Sequence, residues 1–211
     1  MSTLSKQSIR KLCVDVDQPL ITPFEPEKIN VNGKSRGLSH ASYDCAIAHD
    51  LVLGVNPAFI LAKYAIKLAE LEAQILPSTL QDVERSLKKQ MAELRQFQAE
   101  ELRNNPPMAA LAHTIEDFWM PDNVQAQVAD KSTYARLFIS AFNTYFDPGF
   151  HGNATLELVN HSPEPITYKA GDPVCQFVFT WLDETTESPY RGKYQGQTKA
   201  AHGARFEEPS A

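Results

Sequence analysis

The sequence predicts a mainly β protein carrying an inserted α-helical hairpin, α+β overall. Two observations lead there. Residues 113–208 hold short alternating segments separated by turn signals, the pattern of a sandwich or barrel. Residues 56–107 instead repeat their apolar side chains at helical spacing between proline-bearing boundaries. At 211 residues the chain is expected to be a single domain, 1–211, long enough to bury a core without disulfides. The helical insertion falls at about 56–107 and a flexible loop and tail at 188–211.

The elements follow in order. Ser5 to Leu12 predicts a short opening helix. Pro19, Pro23 and Pro26 then hold the chain extended. Asn32-Gly33 marks a turn and Gly37 continues that loop. Tyr43 to Leu53 reads as one strand, with Tyr43, Cys45 and Ile47 alternating with polar or small residues. Phe59, Leu61, Tyr64, Ile66, Leu68, Leu71 and Ile75 predict the first inserted helix, stopped by Pro77. Ser78-Thr-Leu-Gln81 reads as a capping box for the second. The stripe Leu80, Val83, Leu87, Met91, Leu94, Phe97 and Leu102 continues it to Asn104-Asn105-Pro106-Pro107. Such a hairpin packs its stripe on its own domain or on a neighbouring subunit; the alternative is an arm for a protein partner. Strands are expected at Val124–Val128, Ala135–Thr144, Asn153–Val159, Ile166–Tyr168 and Val174–Leu182. From Ser188 onward no core pattern remains.

Composition narrows the function. Lys and Arg number 20 against 26 Asp and Glu, and the resulting −6 argues against a nucleic-acid partner. No apolar run reaches the length of a membrane helix, and Met1 to Leu12 lacks a secretory stretch, so a cytoplasmic protein without a membrane partner is expected. Cys13, Cys45 and Cys175 lie far apart, and none of the His residues stands in a metal-ligand pattern, so no zinc is expected.

Three segments carry polar chemistry. In Asn153–Val159, period-two alternation puts Leu156 and Leu158 on one face and Thr155 and Glu157 on the other. Burial there would raise the Glu157 pKa and suit it to proton shuttling; on a solvent-facing strand it is an ordinary surface residue. Asp130-Lys-Ser-Thr-Tyr-Ala-Arg136 gathers cations and hydroxyls in one turn, suited to phosphate oxygens or simply a polar loop. Tyr190-Arg-Gly-Lys-Tyr-Gln-Gly-Gln197 reads either as a loop closing over an anionic, ring-bearing ligand or as a polar tail.

Together these residues resemble the dCTP deaminase branch of the dUTPase superfamily. Pro23-Phe24, Asn32-Gly33, Gly37-Leu-Ser39 and Ser42-Tyr-Asp44 are similar to its N-terminal pattern, and Thr114–Pro121 to the stretch entering its core. Lys131-Ser-Thr-Tyr-Ala-Arg-Leu137 resembles its S-S-x-A-R-L motif. Asn143-Thr144, Asp147-Pro-Gly-Phe-His-Gly152, Thr155-Leu-Glu-Leu158, Gly171, Gln176-Phe177 and Lys193-Tyr-Gln-Gly-Gln197 follow in order. The resemblance implies a homotrimer of dUTPase-like subunits, each a distorted β-barrel or jelly roll, with active sites between subunits and the C-terminal loop closing over the nucleotide. It implies zinc-independent hydrolytic deamination of dCTP to dUTP and ammonia. By the same resemblance Glu157 is the general base and acid, while Ser132 and Arg136 hold the attacking water and the amino group. Asp147 meets the deoxyribose 3′-hydroxyl. Lys131, Ser132, Thr133, Tyr190, Lys193, Tyr194 and Gln197 hold the triphosphate, on which Mg2+ rides. Lys131 and Thr133 stand where the motif usually has Arg and Ser, and Lys lacks the bidentate fork. The insertion at 56–107 is a departure from ordinary members.

Other readings stay open at this level: a bifunctional deaminase/dUTPase ending at dUMP and pyrophosphate, a plain dUTPase, or a nucleotide-binding regulator acting through the insertion. Removal of 198–211 is expected to be tolerated, and removal from Tyr190 not.

Overall fold

The computed structural model describes residues 2–31 and 33–206. Asn32 of the expected turn and the last five residues of the expected tail lie outside them. The described chain forms two compact units, one of residues 1–51, 109–159 and 167–211, the other of 52–108 and 160–166.

The larger unit opens with β1 (Ser2–Thr3) and α1 (Lys6–Lys11), followed by β2 (Ile21–Thr22), β3 (Ile29–Val31), β4 (Lys34–Leu38), β5 (Tyr43–Ala46) and β6 (Leu51–Leu53), whose last residues belong to the smaller unit. In the smaller unit lie α2 (Pro57–Glu72) and α3 (Gln81–Asn104). The chain then forms β7 (Ala109–Trp119), β8 (Val124–Asp130), α4 (Ser132–Ala135), β9 (Ile139–Ala141), β10 (Tyr145–Phe146), β11 (His151–Asn160), β12 (Ile166–Tyr168) and β13 (Pro173–Trp181).

Two antiparallel sheets build the larger unit. One runs β10-β8-β13-β5-β4-β3, with β1 also on β13; the other runs β2-β7-β11-β9. Their facing sides meet through aromatic rings. Phe118 of β7 stacks on Phe177 of β13 at 4.3 Å between centroids, and Phe146 and Phe179 close around them. Burial of these rings contributes apolar area removed from water between the two sheets. The mainly β class is therefore as expected, and among the described residues the hydrogen-bonded strand order closes no barrel.

Sequence signals hold where local chemistry decides. Ser5 caps α1, its Oγ accepting from Ser8 N at 3.3 Å, and Arg10 and Lys11 complement the dipole at the far end. In the smaller unit Asn56 caps α2 at 2.9 Å from Ala58 N, with Pro57 in the first turn. Ile60 and Tyr64 of α2 are buried with Val55, and Leu94 and Leu102 of α3 pack against them. Glu101 of α3 accepts from Lys63 at 2.7 Å and from the Tyr64 hydroxyl at 2.8 Å, joining the two helices. Phe59, Leu61, Ile66, Leu80, Val83 and Phe97 remain exposed.

Five expectations are corrected. Tyr43–Leu53 is two strands, β5 and β6; every residue of β5 is buried, so period two does not sort inside from outside. Gly37 lies within β4, at φ +93°, where a Cβ would sit 2.5 Å from the Glu27 carbonyl oxygen. The capping box does not form: Leu80 is the N-cap, without a side-chain bond, and Thr79 Oγ1 instead accepts from Leu76 N at 2.7 Å. Ala135–Thr144 is not one strand. The chain winds through α4, turns at Phe138 (φ +59°) and reaches β9 and β10, while the Asp130 carboxylate accepts from Ala141 N at 2.7 Å and pins the loop. Finally β7 extends over Ala109–Trp119, where only a stretch entering the core was recognised.

Candidate functional site

The structure brings part of the predicted set together around one cavity of the larger unit. It measures about 360 Å³ and is lined by Glu157 and Thr155 of β11, Leu111 of β7, Tyr145 and Phe146 of β10, and Tyr194, Gln197, His202 and Ala204 of the C-terminal segment. The predicted alternation of β11 is what aims Glu157. Leu156 and Leu158 are buried in the core and Glu157 faces the other way, opposite Leu111. A bulge in β7 precedes this register: Asn153 lies opposite Asp117, but Thr155 lies opposite His113. The bulge is satisfied internally, since Ala154 N donates to Thr114 Oγ1 at 3.1 Å and Asn153 Nδ2 donates to the Glu116 carbonyl at 3.1 Å.

Glu157 has one carboxylate oxygen, Oε2, buried with no hydrogen-bond partner. Burial pushes its carboxyl above the ordinary value, opposed by a bond to its own backbone.

The C-terminal segment is tied down residue by residue. Tyr190 N donates to the Pro148 carbonyl at 2.8 Å, and the Tyr190 hydroxyl accepts from Tyr194 N at 3.0 Å. Gln195 Nε2 donates to the Gly149 carbonyl at 2.7 Å. Asn153 N donates to the Gln197 carbonyl at 2.9 Å, and the Thr155 hydroxyl donates to Gln197 Oε1 at 2.7 Å. Gly152, at φ +126°, permits this approach; a Cβ there would meet the Gln197 carbonyl oxygen at 2.5 Å. Lys193 is exposed, with its ammonium 5.4 Å from the Tyr194 ring centroid. Asp147 is exposed in the turn that receives Phe150 N at its carbonyl.

The remaining predicted residues stand apart from the cavity. Ser132, Thr133 and Arg136 are exposed on α4 and its end, and Arg136 Nη1 donates only to the Ser132 carbonyl, at 3.3 Å. Leu137, Phe138 and Phe142, immediately following, are exposed by 51%, 68% and 53%. Lys131 is buried, its ammonium 2.6 Å from Asp44 Oδ2. A phosphate there would have to share the cation with that carboxylate. Gln176 bridges Ser42 at 3.2 Å and the Asp130 carbonyl at 3.0 Å. His202 was missed by sequence reasoning, because a lone histidine in a polar tail carries no pattern. The expected tolerance of cutting away 198–211 does not fit a segment whose His202 N donates to Thr155 Oγ1 at 3.2 Å.

Among the described residues no three or more His, Cys, Asp or Glu side chains converge in a metal-like group, and no described helix is long and apolar enough to cross a membrane.

Two β sheets, a half-buried carboxylate with an unpartnered oxygen and a C-terminal segment across the cavity make this the candidate small-ligand site of the larger unit. The chain belongs to the dCTP deaminase-like family, whose model matches residues 3–182. It is 32% identical over 200 residues to a dCTP deaminase of Campylobacter concisus, covering 93% of this chain and 95% of that one. A dCTP deaminase of Pelagibacter ubique is 31% identical over 209 residues, covering 94% and 96%. Among solved structures, the 2′-deoxycytidine 5′-triphosphate deaminase from Agrobacterium tumefaciens is similar at a TM-score of 0.46 and 16% identity, over 84% of this chain and 48% of that chain.

Proposed function

We propose that the chain is an enzyme that hydrolyses dCTP to dUTP and ammonia, with Glu157 as its acid–base group. The observation that carries this reading is the Glu157 carboxylate, half-buried and with Oε2 unpartnered, in a cavity large enough for a pyrimidine nucleoside. Glu157 takes a proton from water as the water oxygen attacks C4 of cytosine, and passes it to N3. Glu157 then takes the proton of the new C4 hydroxyl and gives it to the amino nitrogen, the C4–N bond breaks, ammonia leaves and the C4 carbonyl of dUTP forms, with the carboxylate regenerated. The raised carboxyl pKa suits both halves, because the group must accept and return a proton within one turnover.

In this reading Ser132 and Arg136 hold the water and the amino group from a neighbouring subunit. Their exposure on α4, away from the Glu157 cavity, and the exposed Leu137, Phe138 and Phe142 beside them support a homotrimer with shared sites. Asp147 meets the sugar 3′-hydroxyl. Lys131, Ser132, Thr133, Tyr190, Lys193, Tyr194 and Gln197 hold the triphosphate, the Tyr190–Gln197 segment closing the site. Mg2+ would supply charge neutralisation on the phosphate oxygens; the described residues fit no dedicated cage for it, and no step above runs through it. The cytoplasm is the proposed location.

The test is direct. Purified protein with magnesium is given dCTP or dUTP, and ammonia and pyrophosphate are followed. Ammonia alone from dCTP supports the reading. Pyrophosphate appearing with ammonia replaces it with the bifunctional enzyme. Pyrophosphate from dUTP without ammonia from dCTP replaces it with a dUTPase, and silence in every channel overturns an enzymatic role.

A further inference from the structure

We propose that His202 is a nucleotide-contacting residue of the Glu157 cavity, its Nε2–H donating a hydrogen bond to a neutral oxygen of the bound pyrimidine nucleoside. The proposal rests on the reading of that cavity as the nucleotide site. His202 lies outside the span matched by the family model, in the segment after Gln197.

The argument begins with the ring's other nitrogen. Arg205 Nη2 stands 3.1 Å from His202 Nδ1. A guanidinium has only donors, so Nδ1 is the acceptor and the ring proton sits on Nε2. Arg205 is itself held: its Nη1 donates to the Lys193 carbonyl at 2.6 Å, its backbone N donates to the Tyr194 hydroxyl at 3.1 Å, and the guanidinium lies 6.0 Å from the Tyr194 ring centroid. The histidine backbone is fixed as well, His202 N donating to Thr155 Oγ1 at 3.2 Å. Tautomer and position are thus set by the protein before a ligand arrives.

The proton that results has nowhere to go. His202 Nε2 is buried without a hydrogen-bond partner, as is Glu157 Oε2, and both residues line the same cavity of about 360 Å³. A buried unmet donor is unfavourable, and that penalty is removed when a ligand supplies the acceptor. The acceptor shares a small cavity with a carboxylate, which disfavours a phosphate oxygen and leaves the neutral ones; the base carbonyl and the sugar 3′-hydroxyl are stronger acceptors than the ether oxygen of the sugar ring. His113 Nδ1 is also buried and unpartnered near His202, so a water bridging the two rings is the competing arrangement.

The test uses full-length protein in the Glu157→Gln background, where dCTP binds without turning over. Binding of dCTP is measured calorimetrically for E157Q, E157Q/H202A and E157Q/H202Q. Glutamine places its Nε2 amide where the histidine Nε2–H stood. H202A is expected to weaken binding about tenfold, the loss of one satisfied buried donor. H202Q is expected to stay within about threefold of the parent. Repeating the series with 2′,3′-dideoxycytidine triphosphate assigns the acceptor: a persisting H202A penalty means the base carbonyl, a vanishing one the 3′-hydroxyl. Equal binding by E157Q and E157Q/H202A overturns the proposal in favour of the water bridge. A H202Q loss as large as that of H202A also overturns it, since the ring then serves only to pack the tail. Failure of the underlying reading looks different, with no dCTP binding by E157Q and no ammonia from the wild-type chain.

Discussion

Two glutamates of the larger unit, one half-buried and one buried, sit in contrasting settings, and each makes a prediction. Glu157 opens onto a cavity, and burial raises its pKa. Glu157→Gln keeps the shape but removes proton transfer. Ammonia release is expected to fall by about 10²–10⁴-fold, with dCTP affinity changed by only a few fold. As a general base the carboxyl must be ionised, so kcat/KM of the wild type should be lost as pH falls through a value above the ordinary 4.5. A profile that stays flat as pH is lowered all the way to the ordinary 4.5 would contradict that assignment. Glu116 is enclosed in the core. It is buried in β7, accepts from Ala46 N at 3.1 Å, and burial pushes its carboxyl up to about 7. An unfolded chain releases this proton near 4.5 while the folded chain keeps it. Folding stability should therefore decline as pH rises from about 4.5 to about 7 and level off above, by about 3 kcal/mol in all. Glu116→Gln, which mimics the neutral acid, should flatten that part of the urea-denaturation profile.

Element ends and close approaches show where sequence reading succeeds and fails. The opening helix at Ser5 and the start of the helical insertion at 56 were legible, and the structure adds the caps that fix them, Ser5 and Asn56, while the capping box read at Ser78–Gln81 does not form. The alternation that aims Glu157 was legible because β11 has one face in the core and one outside it. The same rule misread Tyr43–Leu53, since β5 lies inside its sheet between β4 and β13 with all four residues buried, so alternation there does not separate core from solvent. It misread Ala135–Thr144 because the side chain of Asp130, a tertiary contact, bends the chain there. Leu80 is an N-cap without a capping side chain, so Leu80→Asp should stabilise α3 by about 1 kcal/mol, read as a raised denaturation midpoint of the full chain. Gly152 tests the opposite case. A methyl group there would meet both the nitrogen and the oxygen of Gln197, at 2.7 and 2.5 Å. Gly152→Ala should lift the C-terminal segment off β11, seen as faster amide exchange over residues 194–205 and a KM for dCTP raised by roughly tenfold. Unchanged exchange in that variant would show that the bridge between Gly152 and Gln197 contributes little.

At the scale of the whole molecule, the family resemblance implies sites between subunits, and the single chain displays the predicted set in two parts. Glu157, Tyr194 and Gln197 share a cavity, while Ser132, Thr133 and Arg136 project into solvent on α4. No pattern along the chain distinguishes residues that meet within a subunit from those that meet across an interface, because both depend on surfaces formed only after folding. The exposed Leu137, Phe138 and Phe142 next to Arg136 give a physical reason for α4 to face another copy. If sites are shared, Glu157→Gln and Arg136→Ala damage opposite halves, and each homotrimer alone should be inactive. Subunits of the two variants mixed at equal amounts, unfolded and refolded together, would then place an intact Arg136 opposite an intact Glu157 at about a quarter of the interfaces. Ammonia release should return to roughly that fraction of the wild-type rate. Sites built within one chain would leave the mixture as inactive as its parents, since every subunit would still carry one lesion. Refolding each variant alone supplies the baseline, so recovery in the mixture reports the sharing of residues between copies.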